Sequence, residues 1–136
     1  MTHQFGKFVW FELNTKNADK AIKFYGELFG WKTQSMGPYT MLTNNNVPIG
    51  GIGEPAQHPH WISYLSVNDV DDAVKRAKKN GGKLLKEASD YPNVGRFAKI
   101  SDPQGGAFFA FRAEKEDAPD REAQRGAGAN LFAPDS

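Results

Sequence analysis

The segment Asn17–Trp31, NADKAIKFYGELFGW, decides the fold of this chain. Its apolar residues recur three or four positions apart, which predicts an amphipathic helix that buries one face. Asn17 suits the N-cap of this helix, and Gly30, which accepts a positive φ, suits its C-terminal end. A strand rich in aromatic and branched residues is predicted before the helix at 8–13, and three shorter strands are predicted after it, at 31–35, 39–43 and 47–52. The predicted order of this half is therefore βαβββ.

The same order of elements begins again after a linker with two prolines at 54–60. Asp69 stands 52 positions after Asn17, at the N-cap of a second predicted helix, and Gly82 corresponds in the same way to Gly30. Further strands are predicted at 61–67, 83–85, 96–100 and 107–111. Because one βαβββ unit alone would leave its sheet uncovered, two units must pair. We therefore predict an α+β fold with an internal duplication, in modules at about 7–53 and 60–112.

The composition of the chain excludes several kinds of binding partner and of catalytic chemistry. A length of 136 residues suffices for one domain. The net charge of +1 gives no electrostatic reason to expect nucleic acid or an anionic membrane as a partner. The absence of cysteine excludes disulfides, thiolate metal sites and cysteine nucleophiles. Because the N-terminus lacks a signal-peptide core and no apolar stretch is long enough to span a bilayer, we expect a cytoplasmic protein.

The chain changes character after residue 112. Acidic and basic residues crowd together at 114–122, and glycine and alanine dilute the remainder. We expect residues 1–112 to form a single domain and residues 113–136 to form a flexible tail.

Three motifs carry a family resemblance. The first helix contains AIKFY at 21–25 and LFGW at 28–31, and the second half contains DPQG at 102–105. With these motifs the chain resembles, over about residues 7–112, the vicinal oxygen chelate superfamily of glyoxalases, bleomycin resistance proteins and extradiol dioxygenases. Within that superfamily it looks most like a metal-free, glyoxalase-like group. The resemblance implies that the sheets of two βαβββ modules curve around a cavity, with the helices on the outside.

The resemblance also indicates where metal-dependent members place their ligands, which are His, Gln or Glu at one inward position on each of four strands. These positions fall here on Trp10, Gly50, Ile62 and Phe109, with Gly50 placed to within one residue. None of the four offers a lone pair to a divalent cation, which the metal-dependent reactions need as a Lewis acid. We therefore predict no metal and no other cofactor. A slip of two residues, which would bring in Glu12 and Tyr64, is the one alternative.

Glu12 is the titratable residue of greatest interest. Strand alternation turns Trp10 and Glu12 towards the cavity and Phe11 and Leu13 towards the helix. A carboxylate on an apolar strand is costly unless it is paired or protonated. Glu12 is therefore a candidate general base or a candidate anchor for a ligand. The alternative is a structural carboxylate bonded to Tyr64, its counterpart in the second module.

The remaining candidate ligand-binding residues are apolar. Trp10, Tyr64 and Phe109 could stack on a planar ligand or could fill the cavity themselves, with Ile62 and Gly50 beside them. The glycines at 50–53 are interpreted as a close backbone approach or a β-bulge, and not as a phosphate loop, because they do not open a helix. His58 and His60 are interpreted as solvated loop residues, since a flexible linker does not fix a metal geometry.

The leading hypothesis is a metal-independent binder of a small apolar or aromatic molecule in the cavity between the modules. One alternative is a lyase, isomerase, dioxygenase or hydroxylase-like enzyme that uses Glu12 as base or a non-standard metal site. Another is an interaction module whose cavity is filled. A homodimer is expected, because the edges of two short sheets need covering.

Overall fold

A computed structural model of the chain describes residues 5–37, 39–53 and 55–114. These residues form eight strands and two helices in an α+β fold. In chain order they are β1 (Phe8–Asn14), α1 (Ala18–Phe29), β2 (Lys32–Met36), β3 (Tyr39–Asn44), β4 (Val47–Ile52), β5 (His60–Ser66), α2 (Val70–Lys79), β6 (Lys83–Tyr91), β7 (Gly95–Ser101) and β8 (Ala107–Ala113). The predicted α+β fold class, with the order βαβββ occurring twice, is confirmed.

Both helices begin at the residues that the sequence indicates. The Asn17 side chain accepts a hydrogen bond from the Lys20 N–H at 3.0 Å, and Asp69 accepts one from the Asp72 N–H, also at 3.0 Å. These caps satisfy backbone donors that the first turn of a helix leaves without partners. Gly30 ends α1 with a φ of 75°, the left-handed conformation that favours glycine.

The chain divides into two compact units, of which the first is the N-terminal unit, Trp10–Ser63. Its strands are ordered β2-β3-β4-β1, and β1 pairs with β4 in parallel. Leu13, Leu42 and Ile52 form its buried core, against which α1 packs through several half-buried apolar side chains, among them Ala21 and Ile22. Leu13 therefore lies under the helix, as strand alternation predicts.

Among the described residues, the C-terminal unit comprises 5–9 and 64–114. Its strands are ordered β5-β8-β7-β6, and α2 packs against β6, β7 and β8. The pairing of β5 with β8 is parallel, as is that of β1 with β4. Asp102 closes the turn before β8, since its side chain accepts hydrogen bonds from the N–H groups of Gln104 and Gly106, both at 2.9 Å.

The second half departs from the predicted bounds in two places. Strand β6 extends to Tyr91 and is much longer than the predicted 83–85, because its outer part is polar and carries no apolar alternation. Strand β8 ends at Ala113, and the Glu114 N–H still donates to the Val94 carbonyl at 3.0 Å, so regular structure enters the segment predicted as a tail. The rest of that predicted tail, residues 115–136, lies outside the described residues.

Neither helix in the part of the chain that the structure describes is long and apolar enough to cross a membrane.

Candidate functional site

A polar cluster lies on the face of the N-terminal unit's sheet opposite α1, with Glu12 at its centre. Glu12 is only 5% exposed, and the Tyr39 hydroxyl donates a hydrogen bond to its Oε1 at 3.5 Å. The Trp10 indole N–H in turn donates to the Tyr39 hydroxyl at 2.9 Å. Trp10 and Glu12 lie two residues apart on β1 and so share this face, while Tyr39 reaches them from β3. The three side chains form one donor-to-acceptor chain that ends on a buried carboxylate.

Gly51 and Gly53 leave the space that the side chains of Tyr39 and Glu12 occupy. A Cβ atom on Gly51 would overlap the Tyr39 hydroxyl, and one on Gly53 would overlap the Glu12 carboxylate. The same Cβ on Gly53 would lie 2.6 Å from Asn14 Oδ1. Both glycines are therefore required for close approach beside the site, which is one of the two interpretations that the sequence gives to the glycines at 50–53.

Asn14 extends the cluster along β1. It is 6% exposed, and its Nδ2 lies 3.5 Å from His60 Nε2. Because His60 Nδ1 lies 2.8 Å from the His58 carbonyl, which can only accept, Nδ1 carries the proton and Nε2 accepts from Asn14. This assignment turns Asn14 Oδ1 towards Gly53, where it is buried without a hydrogen-bond partner. The cluster thus places a carboxylate oxygen and an amide oxygen against the same glycine.

The surroundings of Tyr39 raise the pKa of its hydroxyl group. Burial raises the pKa of Tyr39 to about 12; the Trp10 N–H opposes this change, and the charge and hydrogen bond of Glu12 reinforce it. The hydroxyl is therefore neutral at physiological pH and acts as a hydrogen-bond donor to Glu12. This arrangement supplies acceptor oxygens, and it suits a ligand that carries N–H or O–H groups.

Gly50 does not belong to this face, which corrects its predicted position. In the parallel pairing of β1 with β4, Phe11 is the partner of Gly50 and Glu12 is the partner of Gly51, so Gly50 shares the α1 side with Phe11. The register between β3 and β4 shifts between Leu42 and Thr43, which leaves an extra residue in β4 directly before Gly50. Spacing along the chain cannot reveal such an extra residue. Gly51, within the stated uncertainty of one residue, occupies the predicted place.

Tyr64 and Phe109 both lie in the C-terminal unit, where their rings stack on each other. Their rings stack with centroids 4.5 Å apart, and Phe97 and Phe111 meet Tyr64 edge-on. Tyr64 is 9% exposed and Phe109 is 5% exposed. Two rings packed in this way favour the alternative in which they fill space as core. Ile62, in the N-terminal unit, is also buried, at 3% exposure.

The residues at the predicted ligand positions do not fit the metal that the fold family uses. Trp10, Gly50 (or Gly51, one residue further), Ile62 and Phe109 provide no side-chain carboxylate, imidazole or amide oxygen. Within the described ranges, no group of three or more His, Cys, Asp or Glu residues is placed to hold a metal ion. His60, predicted to lie in the linker, is the first residue of β5, and its Nδ1 lies 2.8 Å from the His58 carbonyl oxygen.

Sequence analysis did not single out Tyr39, Asn14, Gly51 and Gly53 as site residues. Strand alternation does place Asn14 on the same face as Glu12, but it cannot show the contact of Asn14 with His60. Tyr39 could not be predicted, because its contact with Glu12 depends on the order of β3, β4 and β1 in the sheet.

Comparisons with known proteins agree with this architecture. The family model described as Glyoxalase/Bleomycin resistance protein/Dioxygenase superfamily matches residues 7–111. The putative glyoxylase CFP32 of Mycobacterium bovis (strain ATCC BAA-935 / AF2122/97) is 35% identical over 116 residues, which cover 79% of this chain and 44% of that protein. A glyoxylase-like domain-containing protein of Didymella fabae is 25% identical over 113 residues, which cover 74% of this chain and 88% of that protein. The chain thus spans less than half the length of CFP32.

Solved structures show the same fold. Methylmalonyl-CoA epimerase from Mycobacterium tuberculosis superposes with a TM-score of 0.60 at 15% identity, covering 85% of this chain and 95% of that one. The Mn(II)-bound glyoxalase from Novosphingobium aromaticivorans superposes with a TM-score of 0.59 at 14% identity, covering 87% of this chain and 43% of that one. At these identities the likeness concerns the fold and carries no activity over.

Proposed function

Because the chain belongs to the glyoxalase/bleomycin resistance protein/dioxygenase superfamily, we propose that it binds a small, partly apolar molecule at Glu12 without the help of a metal ion. The observation that carries this proposal is the burial of the Glu12 carboxylate on the sheet face opposite α1. A buried carboxylate is costly to the fold and is therefore a common mark of a functional site.

The chemistry around Glu12 supports a ligand that donates hydrogen bonds. Tyr39 is held neutral and already donates towards Glu12, and Asn14 Oδ1 is a buried acceptor beside it. An ammonium, amide N–H or hydroxyl on the ligand would complement these oxygens, whereas a carboxylate would be repelled. The half-buried Trp10 ring supplies an apolar surface next to them.

A matched series of one-ring probes tests the proposal. Benzylamine (charged as benzylammonium at neutral pH), benzyl alcohol and benzoate share a ring and differ in the group attached to it. We expect the first two to raise the thermal midpoint of the protein in the presence of EDTA, with benzylammonium the stronger, and benzoate to have no effect. In Glu12→Gln the preference for benzylammonium over benzyl alcohol should disappear.

Two results would count against metal-free binding at Glu12. One is the absence of any stabilisation by the three probes in EDTA, together with stabilisation once a divalent metal ion is added. The other is an unchanged probe preference in Glu12→Gln. Ser101→Ala serves as the matched control, since it removes a small buried polar group from β7 in the C-terminal unit.

We also propose that the chain forms a homodimer. Three large apolar side chains of α1 support this proposal, since Phe24, Leu28 and Phe29 are each more than half exposed. Such a row is unusual on the surface of a monomer. Sedimentation velocity should show a dimer for the wild type and a monomer for Phe24→Ser/Phe29→Ser, and a wild-type monomer at high concentration would contradict the proposal.

A further inference from the structure

A second site lies in the N-terminal unit, on the α1 side of the sheet and therefore on the opposite face of β1 from Glu12. It is an apolar cavity of about 290 Å³. Its lining is formed by Phe11, Trp31, Leu42, Ile49, Gly50 and Trp61. We propose that this cavity binds a small, neutral, planar apolar molecule of one or two rings. This binding site goes beyond the function proposed for the Glu12 cluster.

The cavity exists because the core covers only part of this sheet face. Leu13 and Ile52 pack under α1, but the neighbouring pair on the same two strands is Phe11 and Gly50, and Gly50 contributes no side chain. A Cβ atom at Gly50 would overlap the Phe11 carbonyl oxygen, so the close pairing of the two strands requires glycine here. The result is a gap in the apolar layer next to a well-packed core.

Contacts outside the cavity hold its two tryptophan walls in place. Trp31 stacks on Tyr25 with centroids 5.5 Å apart, and it also contacts Phe29 at 5.1 Å. Trp61 meets Tyr25 edge-on at 5.5 Å and donates its indole N–H to the Tyr25 hydroxyl at 3.3 Å. The two indoles also contact each other edge to face, with ring centroids 6.2 Å apart and an interplanar angle of 86°. The cavity is therefore preorganised, which lowers the entropic cost of binding.

The lining determines the class of ligand. None of the six residues is charged, and the indole N–H of Trp61 is already used by Tyr25. A charged or strongly polar ligand would lose its hydration without compensation. The volume of about 290 Å³ lies just below the range of about 300–1,000 Å³ found for small-molecule sites, which suits one or two fused rings. Phe11 and Trp61 are 43% and 42% exposed, so a bound ring would remove aromatic surface from water.

Indole, a neutral two-ring compound, is the probe for the test. The chain has three tryptophans, whose side-chain N–H signals separate the two sites in a ¹H–¹⁵N spectrum: Trp31 and Trp61 belong to the cavity, and Trp10 belongs to the Glu12 cluster. We expect unlabelled indole to shift the signals of Trp31 and Trp61 in a saturable manner and to leave that of Trp10 in place.

Two variants make the test specific. Ile49→Phe, which fills the cavity from a half-buried position, should weaken the binding of indole at least tenfold, and Trp61→Ala should also weaken it. Val94→Ala is the matched control, because Val94 is an exposed apolar residue of the C-terminal unit.

The proposal is overturned if Trp31 and Trp61 do not respond up to the solubility limit of indole, or if Ile49→Phe binds indole as the wild type does. It is also overturned if Trp61→Ala converts a dimer into a monomer in sedimentation, since the cavity would then be a contact between two copies. Because the readouts are separate tryptophans, failure here and failure of binding at Glu12 are distinguishable.

Discussion

At the scale of single residues, the chemistry of the Tyr39 hydroxyl is set by its two neighbours. Burial raises its pKa to about 12 from an ordinary 10.0, the Trp10 N–H lowers it, and Glu12 raises it. We therefore expect the absorbance change near 295 nm that Tyr39→Phe removes from a titration to be centred near pH 12. Replacing Glu12 with Gln should move it towards pH 10, and Trp10→Phe should move it upwards.

The raised pKa of Tyr39 makes the free energy of unfolding depend on pH. A group whose pKa is higher in the folded state stabilises the fold fully below its unfolded pKa, and that contribution is lost as the pH rises through its folded pKa. The contribution of Tyr39 should be complete below pH 10 and should disappear by about pH 12. Denaturant titrations of wild type and Tyr39→Phe should thus converge over this interval. A difference in stability that stays constant from pH 9 to pH 12 would contradict the account of Tyr39.

Gly51 tests the packing of the cluster. Its replacement by alanine places a methyl group where the Tyr39 hydroxyl lies, so Tyr39 must shift, and we expect the Trp10–Tyr39 hydrogen bond to be weakened. We expect a loss of about 1–3 kcal/mol in the free energy of unfolding, measured by denaturant titration. Gly26→Ala is the control, since its Cβ would meet ordinary van der Waals contact inside α1, and alanine should stabilise the helix by roughly 0.5–1 kcal/mol. Equal effects of the two substitutions would argue against the steric account.

At the scale of elements, the two helix caps are the clearest local determinants. Removing the side-chain acceptor in Asn17→Ala or Asp69→Ala should each cost about 1 kcal/mol of stability, because a first-turn N–H loses its partner. Asp69→Asn keeps an acceptor and should stay within about 0.5 kcal/mol of the wild type. Denaturant midpoints provide the measurement, and alanine variants as stable as the wild type would contradict the role of the caps.

The sequence predicts those elements that depend on residues close together in the chain. The caps, the Gly30 terminus and the repeated βαβββ order follow from residues close together in the chain, and the face of Glu12 and Asn14 follows from strand alternation. The register of β4 could not be predicted, because the bulge opposite Leu42 and Thr43 depends on pairing between strands. For the same reason the position predicted at Gly50 could be placed only to within one residue, and Tyr39 was not recognised as the partner of Glu12.

At the scale of the whole molecule, membership of the superfamily fixes the fold and leaves the chemistry to the side chains. The positions that the family resemblance assigns to metal ligands carry tryptophan, glycine, isoleucine and phenylalanine, and a buried carboxylate that accepts from the neutral Tyr39 hydroxyl lies on the same strand as Trp10. We therefore predict metal-free recognition of a hydrogen-bond donor on one face of the N-terminal unit, and apolar binding next to α1 on the other.

The most direct measurement for the central claim is a titration of ¹⁵N-labelled protein with benzylammonium, with and without EDTA, followed through the Trp10 indole N–H signal. This signal reports on the Glu12 cluster because the indole donates to the Tyr39 hydroxyl, which in turn donates to Glu12. We predict a saturable shift that is the same in both conditions and that needs a much higher benzylammonium concentration in Glu12→Gln. A shift that appears only after a divalent metal ion is added, or one that persists unchanged in Glu12→Gln, would contradict it.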